Sequence, residues 1–323
     1  MSFLDSIFQI NTESEFNALA LEIFRFQAEN NVIYRQYLTE LGVDYRSVSL
    51  IEKIPFLPVE LFKTHRIVSS TEQEAIVFTS SGTSNSIQSK HYVTDVRVYE
   101  QSFKKGFEFF YDSLNDCNIY ALLPSYLERE GSSLIYMVEG LMKDSFDSGF
   151  FLYNYEDLIQ TLNNRDKSKK TILIGVTFAL LDLVEKYELD LSENVYVMET
   201  GGMKGRRKEL PREELHSILT QKLNVKSIHS EYGMCEALSQ SYSDGNGVFI
   251  SPQWMKILIR DVNDPTDILG FGKRGAINII DLANYNSCSF IATKDLGKRF
   301  EDGTFTVEGR IDSSDIRGCN LLV

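Results

Sequence analysis

One stretch of the chain combines hydroxyl side chains, a glycine and a lysine directly after a short apolar run. It follows residues 75–78 and reads Thr-Ser-Ser-Gly-Thr-Ser-Asn-Ser-Ile-Gln-Ser-Lys from Thr79 to Lys90. The hydroxyls and backbone N–H groups of such a loop donate hydrogen bonds to anionic oxygens. Gly82 lets the backbone approach a ligand closely, and Lys90 adds a positive charge. The stretch predicts a polyphosphate-binding loop, and a solvated Ser/Thr-rich turn is the structural alternative.

Two further clusters each follow an apolar run that is typical of a strand. The first contains the paired glycines Gly201 and Gly202, which let the backbone lie against a flat ligand or bend sharply. The second contains Tyr232 and, four residues later, Glu236. A tyrosine offers a face for stacking, and a carboxylate is a hard oxygen ligand for Mg²⁺. An ordinary turn and a charge near a helix N-terminus are the alternatives for these two clusters.

An aspartate and an arginine towards the end of the sequence complete the candidate binding residues. Asp295 follows a predicted strand over residues 289–293 and is suited to binding a ribose diol. Arg310 offers a guanidinium that binds phosphate or ribose oxygens. A turn cap for Asp295 and a surface ion pair for Arg310 are consistent with the same residues.

The order of these motifs along the chain resembles the adenylate-forming superfamily of acyl-CoA synthetases, luciferases and peptide-synthetase adenylation domains. Within it, the chain is most similar to the acyl-protein synthetases of the bacterial bioluminescence fatty acid reductase. The similarity covers the chain from the region of Leu50 onward. The stretches that carry it are Ile54-Pro55-Phe56-Leu57-Pro58, Phe78-Thr79-Ser80-Ser81-Gly82-Thr83, Leu123-Pro124-Ser125-Tyr126-Leu127-Glu128-Arg129 and Glu199-Thr200-Gly201-Gly202.

The resemblance implies an ATP site with bound Mg²⁺. The ATP phosphates would be held by Thr79, Ser80, Ser81, Gly82 and Thr83. Glu236 would bind the Mg²⁺ ion. Lys90 is assigned to the ATP site for its charge alone, because the loop departs from the superfamily pattern at Ser84 and Asn85.

The resemblance also assigns the nucleoside and acyl side of the site. Gly201 and Gly202 would line the adenine and the acyl group, with Tyr232 stacked on the base. Asp295 would bind the ribose hydroxyls, and Arg310 would contact the nucleotide.

The implied reaction joins a carboxylate to ATP and gives an acyl adenylate and pyrophosphate. Mg²⁺ and the donors of the loop would screen the two anions from each other. The expected substrate is a fatty acid, whose acyl group then passes to a protein thiol. An acyl-acceptor protein or an acyl reductase is therefore the expected partner.

The end of the chain holds the expected thiol. Acyl-protein synthetases are thought to carry the acyl group on a cysteine near the C-terminus, and Cys319 is the matching position. Arg317 would favour its thiolate, and an incidental cysteine in a frayed tail is the alternative. Only residues 313–323 follow Asp312, so the mobile C-terminal domain of the wider superfamily is expected to be absent or vestigial.

These motifs must be positioned by a layered α/β fold, the N-terminal domain of an adenylate-forming enzyme, with a β-rich subdomain. Apolar spacing predicts amphipathic helices over residues 13–41, and strands then alternate with helices. Later strands over residues 254–259, 275–281, 289–293 and 304–307 are separated by turns. The predicted organisation is a helical region (1–50), an α/β adenylate-forming core (51–235), a β-rich subdomain that completes the nucleotide site (236–312) and a short tail (313–323).

Composition excludes several classes of protein. The 323 residues carry a net charge of −13, which argues against nucleic acid as a partner. The longest apolar stretch, residues 172–181, is shorter than the roughly 20 residues that span a bilayer. Residues 1–10 contain no basic side chain and do not resemble a secretory signal. The sequence predicts a cytoplasmic protein without a membrane span.

Two alternative functions remain open from the residues. One is adenylation of an aromatic or amino acid for another acceptor. The other is a nucleotide-binding scaffold protein without catalytic turnover, which the altered loop and the short C-terminal region would suit.

Overall fold

The computed structural model describes residues 3–80, 87–124, 131–201 and 210–311. The chain divides into two compact units. The first unit contains Met1–Ser102, Gly233–Ser239 and Ile250–Val323, and the second contains Phe103–Tyr232 and Gln240–Phe249.

α-Helices alternate with the strands along the chain from Cys117 to Leu223. The α-helices are α1 Phe3–Ile7, α2 Glu13–Asn30, α3 Val32–Glu40, α4 Leu61–Thr64, α5 Val96–Tyr111, α6 Ser133–Asp144, α7 Tyr155–Asn164, α8 Thr177–Lys186 and α9 Arg212–Leu223. Short 3₁₀ helices occupy Ile51–Lys53, Leu114–Asp116 and Leu282–Asn284. Across the described ranges, no helix is both long enough and apolar enough to cross a membrane.

Each strand predicted over residues 254–259, 275–281, 289–293 and 304–307 overlaps a strand of the structure. The strands of the described residues are more numerous than those predicted. They are β1 Leu57–Pro58, β2 Ile76–Thr79, β3 Lys90–Val93, β4 Cys117–Leu122, β5 Asp147–Phe151, β6 Lys170–Val176, β7 Val195–Thr200, β8 Ile228–Tyr232, β9 Ser241–Ser243, β10 Val248–Phe249, β11 Met255–Arg260, β12 Gly275–Asp281, β13 Phe290–Arg299 and β14 Phe305–Arg310.

The first unit contains an antiparallel sheet and a small hairpin. Strands β11, β12, β13 and β14 are neighbours in that order, and β1 lies parallel to β13. Strands β2 and β3 form a separate antiparallel pair. The apolar faces of α2 pack in this unit, and Thr12 begins α2 with a capping box in which Glu15 completes the reciprocal hydrogen bond.

Strand β13 is longer than the sequence predicts. The predicted strand stops before Asp295, whereas β13 continues through it to Arg299. Local propensity is low over this Lys-Asp-Leu-Gly stretch, but pairing with β14 supplies hydrogen-bond partners to residues 295–299. Asp295 therefore lies within a strand, opposite Arg310, and not at a strand end.

The second unit is built on a mostly parallel sheet in the order β5-β4-β6-β7-β8-β9. Strands β4 to β8 are parallel, and β9 is antiparallel to β8. Nearly every residue of β4, β6 and β7 is buried, as expected when both faces of a parallel sheet are covered. The carboxyl ends of β6, β7 and β8 share one edge, where the Gly201 and Tyr232 motifs begin.

The side chain of Asp281, the last residue of β12, holds the segment 233–239 of the first unit in place. Asp281 is fully buried and accepts hydrogen bonds from the backbone N–H groups of Leu238 (2.7 Å) and Ser239 (3.0 Å) and from the Ser239 hydroxyl (2.6 Å). Residues 233–239 belong to no helix or strand, so these bonds replace the backbone partners that regular structure would have supplied.

We expect Asp281→Ala to destabilise the fold by about 3 kcal/mol, because two buried N–H groups lose their acceptor. Chemical denaturation measures this change in the free energy of unfolding. Asp302→Ala is the matched control, since Asp302 also accepts from a backbone N–H, that of Thr304, but is exposed. Its expected cost is below about 1 kcal/mol, and equal losses in the two variants would contradict the anchoring role of Asp281.

Candidate active site

The base of the hydroxyl-rich loop is a hairpin in the first unit. Thr79 ends β2 and lies opposite Lys90, which begins β3 and is exposed. The pair is closed by two hydrogen bonds: the Ser80 N–H donates to the Ser89 carbonyl (3.1 Å) and the Ser89 N–H donates to the Ser80 hydroxyl (2.9 Å). Thr79, Ser80 and Lys90 are thus brought together at the base of the predicted phosphate loop.

Several predicted site residues lie outside the described residues. They are Ser81, Gly82, Thr83, Gly202 and Cys319. Their assignments therefore stay predictions.

Glu236 is a buried acid beside the hairpin. It is 6% exposed, and burial raises the pKa of its carboxyl above the usual value, while a hydrogen bond from the Ser89 side chain acts in the opposite direction. No helix begins at Glu236, because residues 233–240 form turns and irregular backbone. The alternative of a helix N-terminal charge is therefore excluded.

Asp295 and Arg310 face each other across strands β13 and β14. The guanidinium Nε lies 3.1 Å from a carboxylate oxygen of Asp295, whose side chain is mostly buried, whereas that of Arg310 is mostly exposed. The two residues influence Glu236, since the charge of Arg310 lowers and that of Asp295 raises the pKa of its carboxyl. The first unit thus gathers the hairpin base, Glu236, Asp295 and Arg310, and it also forms the ion pair anticipated as the alternative for Arg310.

In the second unit, the Gly-Gly motif follows the carboxyl end of β7. Gly201 is exposed and adopts φ = 74°, a left-handed conformation that glycine tolerates well. The preceding Thr200 donates its hydroxyl proton to Glu231 at 2.7 Å. Burial raises the pKa of Glu231 to about 7, and the nearby charge of Glu199 adds to the effect.

Glu199 is a second acid at this edge, more deeply buried than Glu231, and its surroundings are different. Its carboxylate accepts hydrogen bonds from Ser230 (2.8 Å) and Thr177 (3.2 Å) and lies 3.7 Å from the Nε of Arg212. Although burial opposes ionisation, the pKa of Glu199 is lowered by His216, Arg212 and Ser230 together. The sequence analysis did not select Glu199 or Glu231 as site residues, although Glu199 follows the apolar residues of β7 directly.

Tyr232 is supported by an aromatic neighbour in the same unit. Its ring meets the edge of the Phe249 ring at a centroid distance of 5.9 Å, and the Arg212 guanidinium lies 5.0 Å from the Phe249 centroid. Such edge contacts restrict the orientation of a ring. The arrangement fixes Tyr232 at the carboxyl end of β8, directly before the segment that carries Glu236.

His91 is a buried histidine that the sequence analysis did not select. It is fully buried in β3, with Nδ1 2.8 Å from the carbonyl of Cys235 and Nε2 3.0 Å from Oδ1 of Asn284. Burial lowers the pKa of His91 to about 4, against the opposing effect of these two contacts. A neutral ring carries one N–H, so at neutral pH it donates to one of the two oxygens.

We expect the fold to lose stability as the pH falls from about 6.5 to 4, because His91 binds a proton more weakly when folded than when unfolded. Its stabilising contribution is fully present above pH 6.5, and the loss approaches about 3 kcal/mol at pH 4. Denaturation of the wild type and of His91→Asn at several pH values measures the contribution of His91 to the free energy of unfolding at each pH. An unchanged difference between the two proteins from pH 7 to pH 4 would contradict it.

Comparisons with known proteins give matches in structure only. No protein-family model matches the sequence, and no curated protein matches it. ATP-bound MatB from Rhodopseudomonas palustris is 15% identical over 75% of this chain, with a TM-score of 0.58. A 2-hydroxyisobutyryl-CoA ligase in the postadenylation state, in complex with 2-HIB-AMP, is 14% identical over 93% of this chain, with a TM-score of 0.71. The luciferase-like enzyme of the nonluminescent mealworm Zophobas morio is 19% identical over 76%, with a TM-score of 0.51.

The extent of these matches limits what they establish. This chain spans about half of the MatB chain (49%), 59% of the luciferase-like chain and 68% of the 2-hydroxyisobutyryl-CoA ligase chain. Identities of 19% or less show the fold alone. The predicted fold class is confirmed at this level: the chain has a mixed α/β fold, which it shares with these three structures.

Proposed function

We propose that this protein activates a carboxylic acid with ATP and passes the acyl group to a thiol. A carboxylate oxygen of the acid attacks the α-phosphorus of ATP, the bond between the α-phosphorus and the bridging oxygen breaks, and pyrophosphate leaves. A thiolate then attacks the acyl carbon, and AMP leaves with the oxygen that joined it to the acyl group. The charges balance without any further reactant.

The observation that carries this proposal is the buried carboxyl of Glu236 beside Ser89, at the base of the hydroxyl-rich loop. Burial disfavours the charged form of Glu236, so a divalent cation at this position would stabilise the carboxylate. Thr79 and Ser80 at the same hairpin would donate to phosphate oxygens, together with Ser81, Gly82 and Thr83. Lys90 would add positive charge at the rim.

The residues suit Mg²⁺ bound largely through the substrate. Within the described ranges there is no cluster of three or more His, Cys, Asp or Glu side chains that could hold a metal. Mg²⁺ typically binds one or two carboxylates and completes its coordination with water and phosphate oxygens, which a single acid such as Glu236 allows. When bound, the ion would neutralise charge on the phosphates.

The remaining nucleotide contacts are proposed from the sequence resemblance. Asp295, which forms an ion pair with Arg310, would accept hydrogen bonds from the ribose hydroxyls. Arg310 is exposed enough to contact the nucleotide as well. By the same resemblance, Tyr232 would stack on the base, and Gly201 and Gly202 would line the adenine and the acyl group.

The identity of the acid and of the acceptor thiol is proposed from the sequence resemblance. A fatty acid is the expected substrate, and Cys319 is the expected acceptor thiol within this chain. An acyl-acceptor protein or acyl reductase would then receive the acyl group. The neighbouring structures named above, bound to ATP and to an acyl adenylate, support adenylation without specifying the acid.

Pyrophosphate release separates adenylation from simple nucleotide binding. The protein is incubated with ATP, Mg²⁺ and a panel of saturated fatty acids, aromatic acids and amino acids. Release with fatty acids supports the proposal, and release with another class assigns the acid instead. Nucleotide binding without release for any acid would contradict catalysis and favour a scaffold.

We expect Glu236→Gln to lower kcat/KM for pyrophosphate release at least about 100-fold, because several kcal/mol of charge stabilisation by the metal would be lost. The fold should be retained, as shown by an unchanged unfolding transition. Glu301→Gln is the control, since Glu301 is an exposed acid in the same unit. Equal activity of Glu236→Gln and wild type would remove Glu236 from the metal site.

We expect intact-protein mass spectrometry to detect an acyl adduct after incubation with ATP, Mg²⁺ and the active acid. Cys319→Ser should abolish this adduct while pyrophosphate release continues, because adenylation precedes thiol attack. Cys117→Ser is the control, as Cys117 is fully buried. An adduct that survives in Cys319→Ser would exclude that thiol as the acceptor.

A further inference from the structure

A buried amide in the first unit holds the backbone of the proposed metal ligand. Asn284 ends the 3₁₀ turn Leu282–Asn284 and is fully buried. Its Nδ2 donates one hydrogen to the carbonyl of Glu236 at 2.8 Å and the other to the carbonyl of Cys288 at 2.9 Å. Because both oxygens are acceptors only, these bonds fix which side of the amide carries the nitrogen, and Oδ1 must face His91.

His91 extends this contact to the residue before Glu236. Its ring lies between Oδ1 of Asn284 and the carbonyl of Cys235, so two consecutive carbonyls, those of Cys235 and Glu236, lie against one buried His–Asn pair. His91 is also two residues after Ser89, whose side chain hydrogen-bonds to the Glu236 carboxyl. Ser89, directly before β3, and His91 within it therefore contact this short segment on its side-chain and backbone sides, respectively.

The turn that supplies Asn284 is itself fixed by two buried side chains of the helical region. Gln27 donates to the carbonyls of Asn284 (3.2 Å) and Tyr285 (2.9 Å) and accepts from the N–H of Ser289 (3.0 Å). Asn31 donates to the carbonyl of Ser287 at 3.0 Å. These bonds to Gln27 and Asn31 limit the movement of the turn that carries the Asn284 amide.

We propose that Asn284 is a positioning residue for Glu236, with His91 as its partner, and that the pair sets the direction of the Glu236 carboxylate toward a divalent cation. The proposal rests on the proposed metal role of Glu236. Glu236 lies in a turn closed by the hydrogen bond from the Ala237 N–H to the Met234 carbonyl (3.2 Å), and not in a strand or helix. The hydrogen bond from Asn284 to its carbonyl adds to that turn in fixing its backbone direction.

Removing such an outer contact to a metal ligand typically weakens metal binding 10- to 100-fold. The test measures Mn²⁺ binding to the full-length protein in the presence of ATP by electron paramagnetic resonance, without any acid, so that no turnover is needed. We expect Asn284→Asp to weaken Mn²⁺ binding about tenfold. The aspartate keeps the size of the side chain and an acceptor for His91, but it loses both N–H donations.

The same substitution at another buried asparagine is the matched control. Asn118 is fully buried in the second unit, where its Nδ2 donates to the hydroxyl of Thr171 at 3.0 Å. We expect Asn118→Asp to leave Mn²⁺ affinity unchanged, whatever its effect on stability. Unchanged affinity in Asn284→Asp, or an equal loss in both variants, would overturn the positioning role.

Substitution of His91 keeps the test decisive if Asn284→Asp does not fold. His91→Asn places an amide near the former Nδ1 and can still donate to Cys235, whereas His91→Ala removes both contacts. We expect Mn²⁺ affinity to fall in His91→Ala and to be partly restored in His91→Asn. Equal affinity in His91→Ala and wild type would contradict the proposal.

The outcomes also separate this inference from the proposed function. If the wild type binds Mn²⁺ with ATP and Asn284→Asp weakens that binding, the positioning role stands even when no acid gives pyrophosphate. If the wild type shows no ATP-dependent Mn²⁺ binding, the positioning role falls. Pyrophosphate release with normal Mn²⁺ binding in Asn284→Asp overturns the positioning role alone.

Discussion

The first unit depends on one physical constraint, which is that a polar group taken out of water must find a partner. The segment 233–239 runs through the unit without forming a helix or strand, and one turn hydrogen bond lies within it, from the Ala237 N–H to the Met234 carbonyl (3.2 Å). Other backbone groups of the segment need partners from elsewhere in the unit. The 281–284 turn supplies the missing partners: Asp281 accepts from the N–H groups of Leu238 and Ser239, and Asn284 donates to the carbonyl of Glu236. These hydrogen bonds thereby hold in place a segment that has no regular secondary structure.

The same constraint gives two acids of the second unit, the buried Glu199 and the partly buried Glu231, opposite protonation behaviour. His216, Arg212 and Ser230 lie around the Glu199 carboxylate and keep its pKa low despite burial. Glu231 receives a hydrogen bond from Thr200, and burial together with the charge of Glu199 raises its pKa to about 7. Two acids on neighbouring strands thus avoid carrying full charge side by side, as expected where like charges are close.

Periodicity predicted the regular elements well and the irregular ones poorly. The buried parallel strands β4, β6 and β7 are apolar runs, and the strand predicted over residues 275–281 has the bounds of β12 in the structure. The second half of β13 was missed, because its residues favour a turn and only pairing with β14 makes them a strand. The 281–284 turn gave no signal in the sequence, since Asp and Asn after a strand are also typical of a solvated turn.

The candidate site likewise contains residues that the sequence predicts and residues that it does not. Side chains that would contact a ligand directly, such as Glu236 and Asp295, were selected because a short motif is enough to recognise their chemistry. His91 and Asn284 were not selected, because their contact joins residues 193 positions apart and neither belongs to a motif. A motif therefore identifies the group that contacts a ligand, whereas the group that orients it is fixed by the fold. For this protein, the direction of the Glu236 carboxylate is encoded mainly in the turn after β12 and in the strand that follows the loop, and not in the motif around Glu236 itself.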